Sequence, residues 1–414
     1  MQSGATRRPL VASKMNRRHK PDYILVLLTV ILLAIGLVTV YAISPGLSAQ
    51  KGVGENYYVI KQLIAVALGV GAFVITSNIP VSTWRKIEKP LIYTAIGSSV
   101  IVRLFGEQVN GAYRWIQVGG LSFQVAELIK FVLIIWLAGF LTTRFKNNQL
   151  EDTNVTLKPI MIALALIAFF VAFLQSDLGS TGVMVMIMAS MVFVIGMPVK
   201  KLLMIAGLIG IGTILLISTS SYRRDRLTTF LNPTRDCQNT GYQACQALIA
   251  VGSGGLTGLG LGQGVQAYGY LPEAANDSIF AIYAEKFGFI GICVLLGLLL
   301  ALFARIKNII NRTADTYSRL LLVGILAWLS TQSFINIGAM IGLLPLKGIT
   351  LPFISYGGTS LVFITGAIGL VFQISRYTSY SPVTEELING SKNEEDTTSR
   401  RRFRRAYNSS TSGR

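Results

Sequence analysis

The chain has 414 residues, 52% of them hydrophobic and only 14% charged. Soluble globular domains carry about 25% charged residues, so this composition excludes that class. A bilayer-spanning helix takes about 20 mostly apolar residues, and ten of them would use roughly half of the chain. The single histidine, His19, sits in a basic amino-terminal stretch, which argues against a Ser-His-Asp triad, a histidine proton relay and a histidine-ligated zinc site. Three cysteines are too few for a four-thiolate metal site, and no Walker A pattern occurs. The net charge of +18 would suit nucleic acid, but in a membrane chain the basic residues first report the side of each loop.

Residues 1–21 form a basic tail. No small-residue cleavage pattern follows the first apolar run, which is therefore expected to remain as an anchor. Apolar runs cover 23–43, 57–77, 88–105, 124–143, 159–175, 178–197, 199–220, 278–304, 318–345 and 350–375. The pattern predicts an all-α polytopic membrane protein of about ten transmembrane helices, with residues 22–376 as one membrane domain. If both termini are cytoplasmic, most of the Lys and Arg residues fall in inner loops and tails, as the positive-inside rule requires. The last segment, 377–414, is rich in Ser, Thr, Asn, Glu and Arg and clusters Arg400, Arg401, Arg402, Arg404 and Arg405. It is expected to be a disordered cytoplasmic tail, either a solvated anchor or a lipid- or partner-binding segment.

Between the seventh and eighth runs lies a long loop, 221–277, which the helix count places outside. Its apolar stretch from Ala247 to Val251 argues for an ordered, re-entrant segment. The seven glycines between Gly252 and Gly264 lack the strand, spacing and βαβ context of a dinucleotide fingerprint. Cys237 and Cys245 both lie in this loop, with Asn239-Thr-Gly241 between them to turn the chain. They can reach the Cα separation of about 5.5 Å that a disulfide needs, whereas Cys293, inside an apolar run, is expected to be a reduced core thiol.

The same count gathers Arg114, Glu127, Asp177, Arg223, Arg226, Asp277 and Lys347 toward the outer face. Ionisable groups beside apolar runs are costly and tend to mark a cavity. Asp277 suits a general base whose pKa burial would raise, or an N-cap for the helix after it. Glu127 and Lys130, three residues apart, share a helix face and suit an ion pair. Asp177 can cap the sixth helix. Arg223, Arg224 and Arg226 suit either interfacial snorkelling or phosphate binding. Lys347 stands between a proline and a glycine that free backbone groups, as at many membrane ligand sites.

Six stretches carry a family resemblance: Asn110-Gly-Ala-Tyr-Arg-Trp-Ile116, Gln124-Val-Ala-Glu-Leu-Ile-Lys130, Gln175-Ser-Asp-Leu-Gly179, Arg226-Leu-Thr-Thr-Phe-Leu-Asn-Pro233, Leu271-Pro-Glu-Ala-Ala-Asn-Asp277 with Ile279-Phe-Ala281, and Gly342 through Gly358. Over residues 22 to 376 the chain resembles the SEDS family (shape, elongation, division and sporulation) of membrane glycosyltransferases. Ile349-Thr-Leu-Pro-Phe353 and the extended tails are more similar to its division members than to its elongation members. Val125 and Ser176 stand where the family usually has proline, and Ala275 where it usually has histidine.

The resemblance implies polymerisation of lipid II at the outer face of the bacterial cytoplasmic membrane. There an acceptor 4-hydroxyl attacks the anomeric carbon of a lipid-linked donor, and undecaprenyl pyrophosphate leaves with inversion. It implies Asp277 as the catalytic base and Arg223, Arg226 and Lys347 as phosphate ligands. Arg114 joins them at the substrate, while Asp177 and the Glu127/Lys130 pair shape the cavity. A class B penicillin-binding transpeptidase and other division proteins are the implied partners. No cofactor is specified; a divalent cation at the pyrophosphate is compatible with the chemistry, although no carboxylate cluster defines one. The rival functions are a lipid II flippase, which would place polar groups at both faces and the midplane, and a scaffold that needs no Asp277.

Overall fold

The computed structural model describes residues 20–109, 112–118, 121–218, 224, 230, 237–239 and 241–377. The basic tails and the stretch holding Arg223 and Arg226 lie outside the described residues.

Each predicted run is a helix. In chain order the elements are α1 (Tyr23–Lys51), α2 (Tyr57–Asn78), the short α3 (Val81–Lys86) and α4 (Glu88–Phe105), followed by α5 (Val125–Lys146). Then come α6 (Thr153–Leu174), α7 (Leu178–Val194), α8 (Val199–Ser218) and α9 (Tyr242–Ser253). The chain closes with α10 (Ile279–Arg312), α11 (Thr316–Met340) and α12 (Gly358–Ser375). Among the described residues, α1, α2, α5, α6, α10, α11 and α12 are long and apolar enough by themselves to cross a membrane. The other three runs are α4, which carries Glu88, Lys89 and Arg103, α7, which has only 17 residues, and α8.

Lipid tails are as apolar as leucine, so the helices are held by close packing and not by escape from the surrounding solvent. Where α2 meets α12 the contact is made by small residues. A Cβ on Gly69 would stand 2.7 Å from Thr365 Oγ1, and Thr76 Oγ1 donates across the interface to the Gly366 carbonyl at 2.8 Å. Gly324 of α11 likewise admits Ile134 of α5 and Met191 of α7. At one end Asp22 caps α1 through the Leu25 N–H, pairs with Arg305 of α10 at 2.6 Å, and donates its own N–H to Ser375 of α12. One residue thereby ties together three helices.

Two features were not foreseen from the runs. After α4 the chain forms a small antiparallel sheet of β1 (Glu107–Val109), β2 (Ala112–Val118) and β3 (Leu121–Gln124), with Val118 opposite Leu121. Gly119-Gly120 between them is the two-residue hairpin signal. The second feature is a break in α10 at Gly288, whose φ of 63° and ψ of −165° leave the helical region. Residues 279–286 are buried on every side, whereas beyond the break only a stripe including Leu295, Leu299, Leu302 and Ile306 is buried. That arrangement corrects the expectation for Cys293: it is a free thiol exposed on the flank of the helix, because the second half buries one face alone.

The glycine-rich segment answers the break. Leu259 and Gly260 donate to the carbonyls of Glu285 and Lys286 at 2.9 and 3.0 Å, and Phe289 and Ile290 donate to those of Gly255 and Leu256 at 2.9 and 3.1 Å. An unsatisfied backbone group at membrane depth costs several kcal/mol, so a helix interrupted there needs such a partner. The approach is too close for side chains, since a Cβ on Gly258 would overlap the Lys286 carbonyl. The glycines therefore serve backbone-to-backbone contact.

Candidate active site

Asp277 stands immediately before the buried half of α10. The first helical carbonyl is that of Ser278, which accepts from Ala281 at 3.0 Å, so Ser278 and not Asp277 is the N-cap residue. The stretch leading in is folded on itself. Glu273 takes a positive φ of 51°, its carbonyl accepts from Asn276 and Ser278, and Ser278 Oγ returns to the Pro272 carbonyl at 2.9 Å. Gln243 of α9 holds Ser278 Oγ from the other side at 3.1 Å.

Facing Asp277 is the segment between α11 and α12. Lys347, Gly348 and Ile349 form a three-residue turn closed by the Ile349 N–H on the Lys347 carbonyl at 2.6 Å. A Cβ placed on Gly348 would lie 3.6 Å from Arg114 Nη1 and 3.8 Å from Asp277 Oδ2. This glycine therefore marks the point where the carboxylate and the guanidinium face each other. Arg114 comes from β2 and is held by two carbonyls at the α6–α7 corner, with Nε on Gln175 at 3.1 Å and Nη2 on Ser176 at 2.6 Å. Those bonds leave Nη1 as the edge turned toward Gly348. Gly179, in the first turn of α7, packs against the side chains of Lys347 and Ile349. The structure thus brings Asp277, Arg114 and Lys347 to one place from three separate parts of the chain.

Asp177 is there in a different capacity. It is 3% exposed, and both carboxylate oxygens are taken by Ser180, Oδ1 by its N–H at 2.9 Å and Oδ2 by its hydroxyl at 2.8 Å. It caps α7 and frames the corner that Arg114 grips, so direct contact with substrate is not the geometry seen. Ser176 beside it has a φ of 51°, which a proline ring does not allow; the corner follows its own path here. Val125, by contrast, is the first residue of α5, a position proline fills without conflict.

Beneath this cluster lies a buried polar network. Lys130 Nζ is 2.7 Å from Glu127 Oε1 and 2.7 Å from Gln332 Oε1, and sits over the Trp328 ring at 5.1 Å. Gln332 also accepts from Trp328 Nε1 at 2.8 Å and donates to the Thr350 carbonyl at 3.0 Å. One turn on, Asn336 Nδ2 donates to the carbonyls of Asp277 and Ile349, each at 2.7 Å. Gln332 and Asn336 escaped the search for charged groups. Two amides four residues apart in an otherwise apolar span were the available signal.

Glu285 and Lys286, each 1% exposed, were missed because they lie inside a run read as one continuous apolar span. Glu285 Oε1 accepts from the N–H groups of Val265 and Gln266 at 3.1 and 3.3 Å, and Lys286 Nζ donates to the Gln263 carbonyl at 3.0 Å. Both act on the glycine-rich segment. Cys237 and Cys245 form a disulfide with Cα atoms 5.6 Å apart, which joins the chain entering α9 to its first turns. Arg223 and Arg226 lie outside the described residues, while Arg224 between them is exposed. Among the described residues no group of three or more His, Cys, Asp or Glu side chains is placed to hold a metal ion.

With this geometry in place, comparison with known proteins is informative. The family model of cell cycle proteins that groups FtsW, RodA and SpoVE matches residues 23–380. The "Probable peptidoglycan glycosyltransferase FtsW" of Coxiella burnetii is 39% identical over 359 residues, 86% of this chain and 96% of that protein. Stage V sporulation protein E of Bacillus subtilis is 38% identical over 367 residues, 88% of this chain and 99% of that one. Among solved structures, a chain of a peptidoglycan synthase complex that coordinates polymerization and crosslinking matches with a TM-score of 0.69 and 26% identity, covering 86% of this chain and 98% of that chain. The rod shape determining protein RodA of Thermus thermophilus matches with a TM-score of 0.61 and 26% identity, covering 87% and 98%.

Proposed function

Because the chain belongs to the FtsW/RodA/SpoVE family of cell cycle proteins, we propose that it is a division-type peptidoglycan glycosyltransferase that polymerises lipid II at the outer face of the cytoplasmic membrane. The observation that carries this reading is the convergence of one carboxylate, Asp277, with Arg114 and Lys347 around Gly348. Glycosyl transfer to a sugar hydroxyl needs a base for the hydroxyl proton and cations for the departing pyrophosphate. In a chain whose single histidine is His19 in the amino-terminal tail, Asp277 is the group at this cluster that suits the role of base.

The acceptor 4-hydroxyl gives its proton to an Asp277 oxygen as its own oxygen bonds to the anomeric carbon of the donor. The bond from that carbon to the pyrophosphate breaks, with inversion, and the electron pair leaves on the phosphate oxygen. Lys347 and the Nη1 edge of Arg114 meet the negative charge that builds there, and the family resemblance adds Arg223 and Arg226 as further phosphate ligands. Exposed apolar helix flanks on the bundle provide surface for the polyprenyl tail. Both termini are cytoplasmic, the protein works at the septum, and its partner is a class B penicillin-binding transpeptidase. The similarity to a chain of a peptidoglycan synthase complex supports that partnership.

The test is polymerisation of fluorescent lipid II by the purified chain, alone and with the transpeptidase. Asp277→Asn keeps size and most hydrogen bonds but cannot take the proton. Product should fall by about two orders of magnitude, the usual scale for loss of a general base, while lipid II binding persists. Near-normal glycan from Asp277→Asn would remove Asp277 from the reaction. Transfer of lipid II across vesicles without glycan from the unaltered protein would favour a flippase.

A further inference from the structure

We propose that Asn336 is a positioning residue for the transfer reaction, a two-pronged staple that sets the direction of Asp277 and the place of the Lys347 turn together. The proposal rests on the reading of Asp277 as the base. Asn336 lies on α11 and is 1% exposed. Its Nδ2 carries two hydrogens, and both are used: one on the main-chain carbonyl of Asp277 and one on that of Ile349, each at 2.7 Å. Those carbonyls belong to segments about seventy residues apart in sequence, so no local structure brings them into register.

The leverage follows from covalent geometry. Holding the Asp277 carbonyl fixes the plane of the following peptide and, through it, the direction of the Asp277 Cα–Cβ bond. Holding the Ile349 carbonyl fixes the far end of the turn that contains Lys347 and Gly348, which is closed by the Ile349 N–H on Lys347. Gly348 is the residue to which Asp277 Oδ2 and Arg114 Nη1 are both close. One amide therefore governs the distance between the proposed base and the turn that carries Lys347.

The amide is itself well anchored. Four residues earlier on the same helix, Gln332 donates to the neighbouring carbonyl of Thr350 and is gripped by Lys130 and Trp328. The buried Glu127–Lys130 pair is thus the footing of a ladder whose next rungs are Gln332 and Asn336. By contrast Asn336 Oδ1 is buried without a hydrogen-bond partner. Buried side-chain oxygens are nearly always bonded, so the donor half of this amide is what the site retains it for.

The experiment measures kcat and KM for fluorescent lipid II polymerisation with the full chain. The variants are Asn336→Ala, the isosteric Asn336→Asp, Asp277→Asn and the double variant Asn336→Ala with Asp277→Asn. Misplacing a reacting group by about 1 Å can cost on the order of a hundredfold in rate. Asn336→Ala and Asn336→Asp should each lower kcat by about ten- to a hundredfold with KM changed less than about threefold. In the Asp277→Asn background, the change at position 336 should have almost no further effect. A general folding defect would instead reduce the active fraction equally in either background.

Wild-type kcat in either single variant overturns the proposal, as does the same proportional loss with and without Asp277. Should both single variants be poorly folded by elution and melting, the kcat of the folded, active-site-titrated fraction still decides, because a positioning defect survives that correction. Normal kcat in Asp277→Asn overturns the proposal together with the reading of Asp277. Loss in Asp277→Asn with normal kcat in Asn336→Ala overturns the staple alone.

Discussion

Neutralising Lys130 should damage the protein more than neutralising Glu127, although the two form one ion pair. At an effective dielectric of about 20, unit charges separated by the observed 2.7 Å attract by roughly 6 kcal/mol, which the cost of removing both from water largely offsets. What matters for a variant is the charge left behind. Glu127 is 2% exposed, its Oε1 is bonded to Lys130 and its Oε2 has no hydrogen-bond partner. Lys130→Met strands this carboxylate, a penalty of about 3 to 5 kcal/mol for a buried pair.

Glu127→Gln is milder. Lys130 keeps Gln332 Oε1 and the Trp328 ring, and the new amide oxygen can still accept from it. The loss is the difference between a charged and a neutral acceptor, about 1 to 1.5 kcal/mol. The double variant should recover part of the Lys130→Met loss, since no charge is then stranded. Unfolding of the three proteins in one detergent, read as a double-mutant cycle, checks the order. Strict additivity, or equal damage from the two single changes, would refute the coupling and the asymmetry.

Gly348→Ala should fold normally and polymerise poorly, because its methyl group would meet Arg114 and Asp277 at ordinary contact distance and occupy the space where substrate has to enter. Unchanged melting with at least about a tenfold loss of glycan product is the expected pair of readings. Gly258→Ala should destabilise the glycine-rich segment by at least about 1 to 3 kcal/mol through strain at its φ of 82° and overlap with Lys286, seen as faster proteolysis between α9 and α10. Maleimide labelling of protein denatured without reductant should reach Cys293 but not Cys237 or Cys245. Reduction should loosen the loop by on the order of 2 to 3 kcal/mol, the chain-entropy value for a short closed loop, and equal labelling of all three before reduction would show that the bridge is absent.

The ten helices were legible because a span satisfies its own backbone and its apolar length alone suffices to specify it. The Glu127–Lys130 spacing was legible for a similar reason, since three residues on a helix share a face wherever the helix goes. Tertiary structure decided the rest. Asp177 looked like Asp277 in sequence, an acidic residue before an apolar run, yet one is taken up wholly by Ser180 and the other faces Arg114 across Gly348. Their place before an apolar run does not separate them; the surrounding motifs assign them different roles by resemblance, and the packing supplies the physical difference. The break at Gly288 exists because residues 255–260 supply hydrogen bonds to a helix some thirty residues away, and neither segment announces the other. Gln332 and Asn336 read as two polar residues in a span. Their meaning comes from the carbonyls of Thr350, Ile349 and Asp277, which are placed by how α10, α11 and the turn before α12 pack. Periodicity along one element is a local property, and a hydrogen bond between distant segments is not.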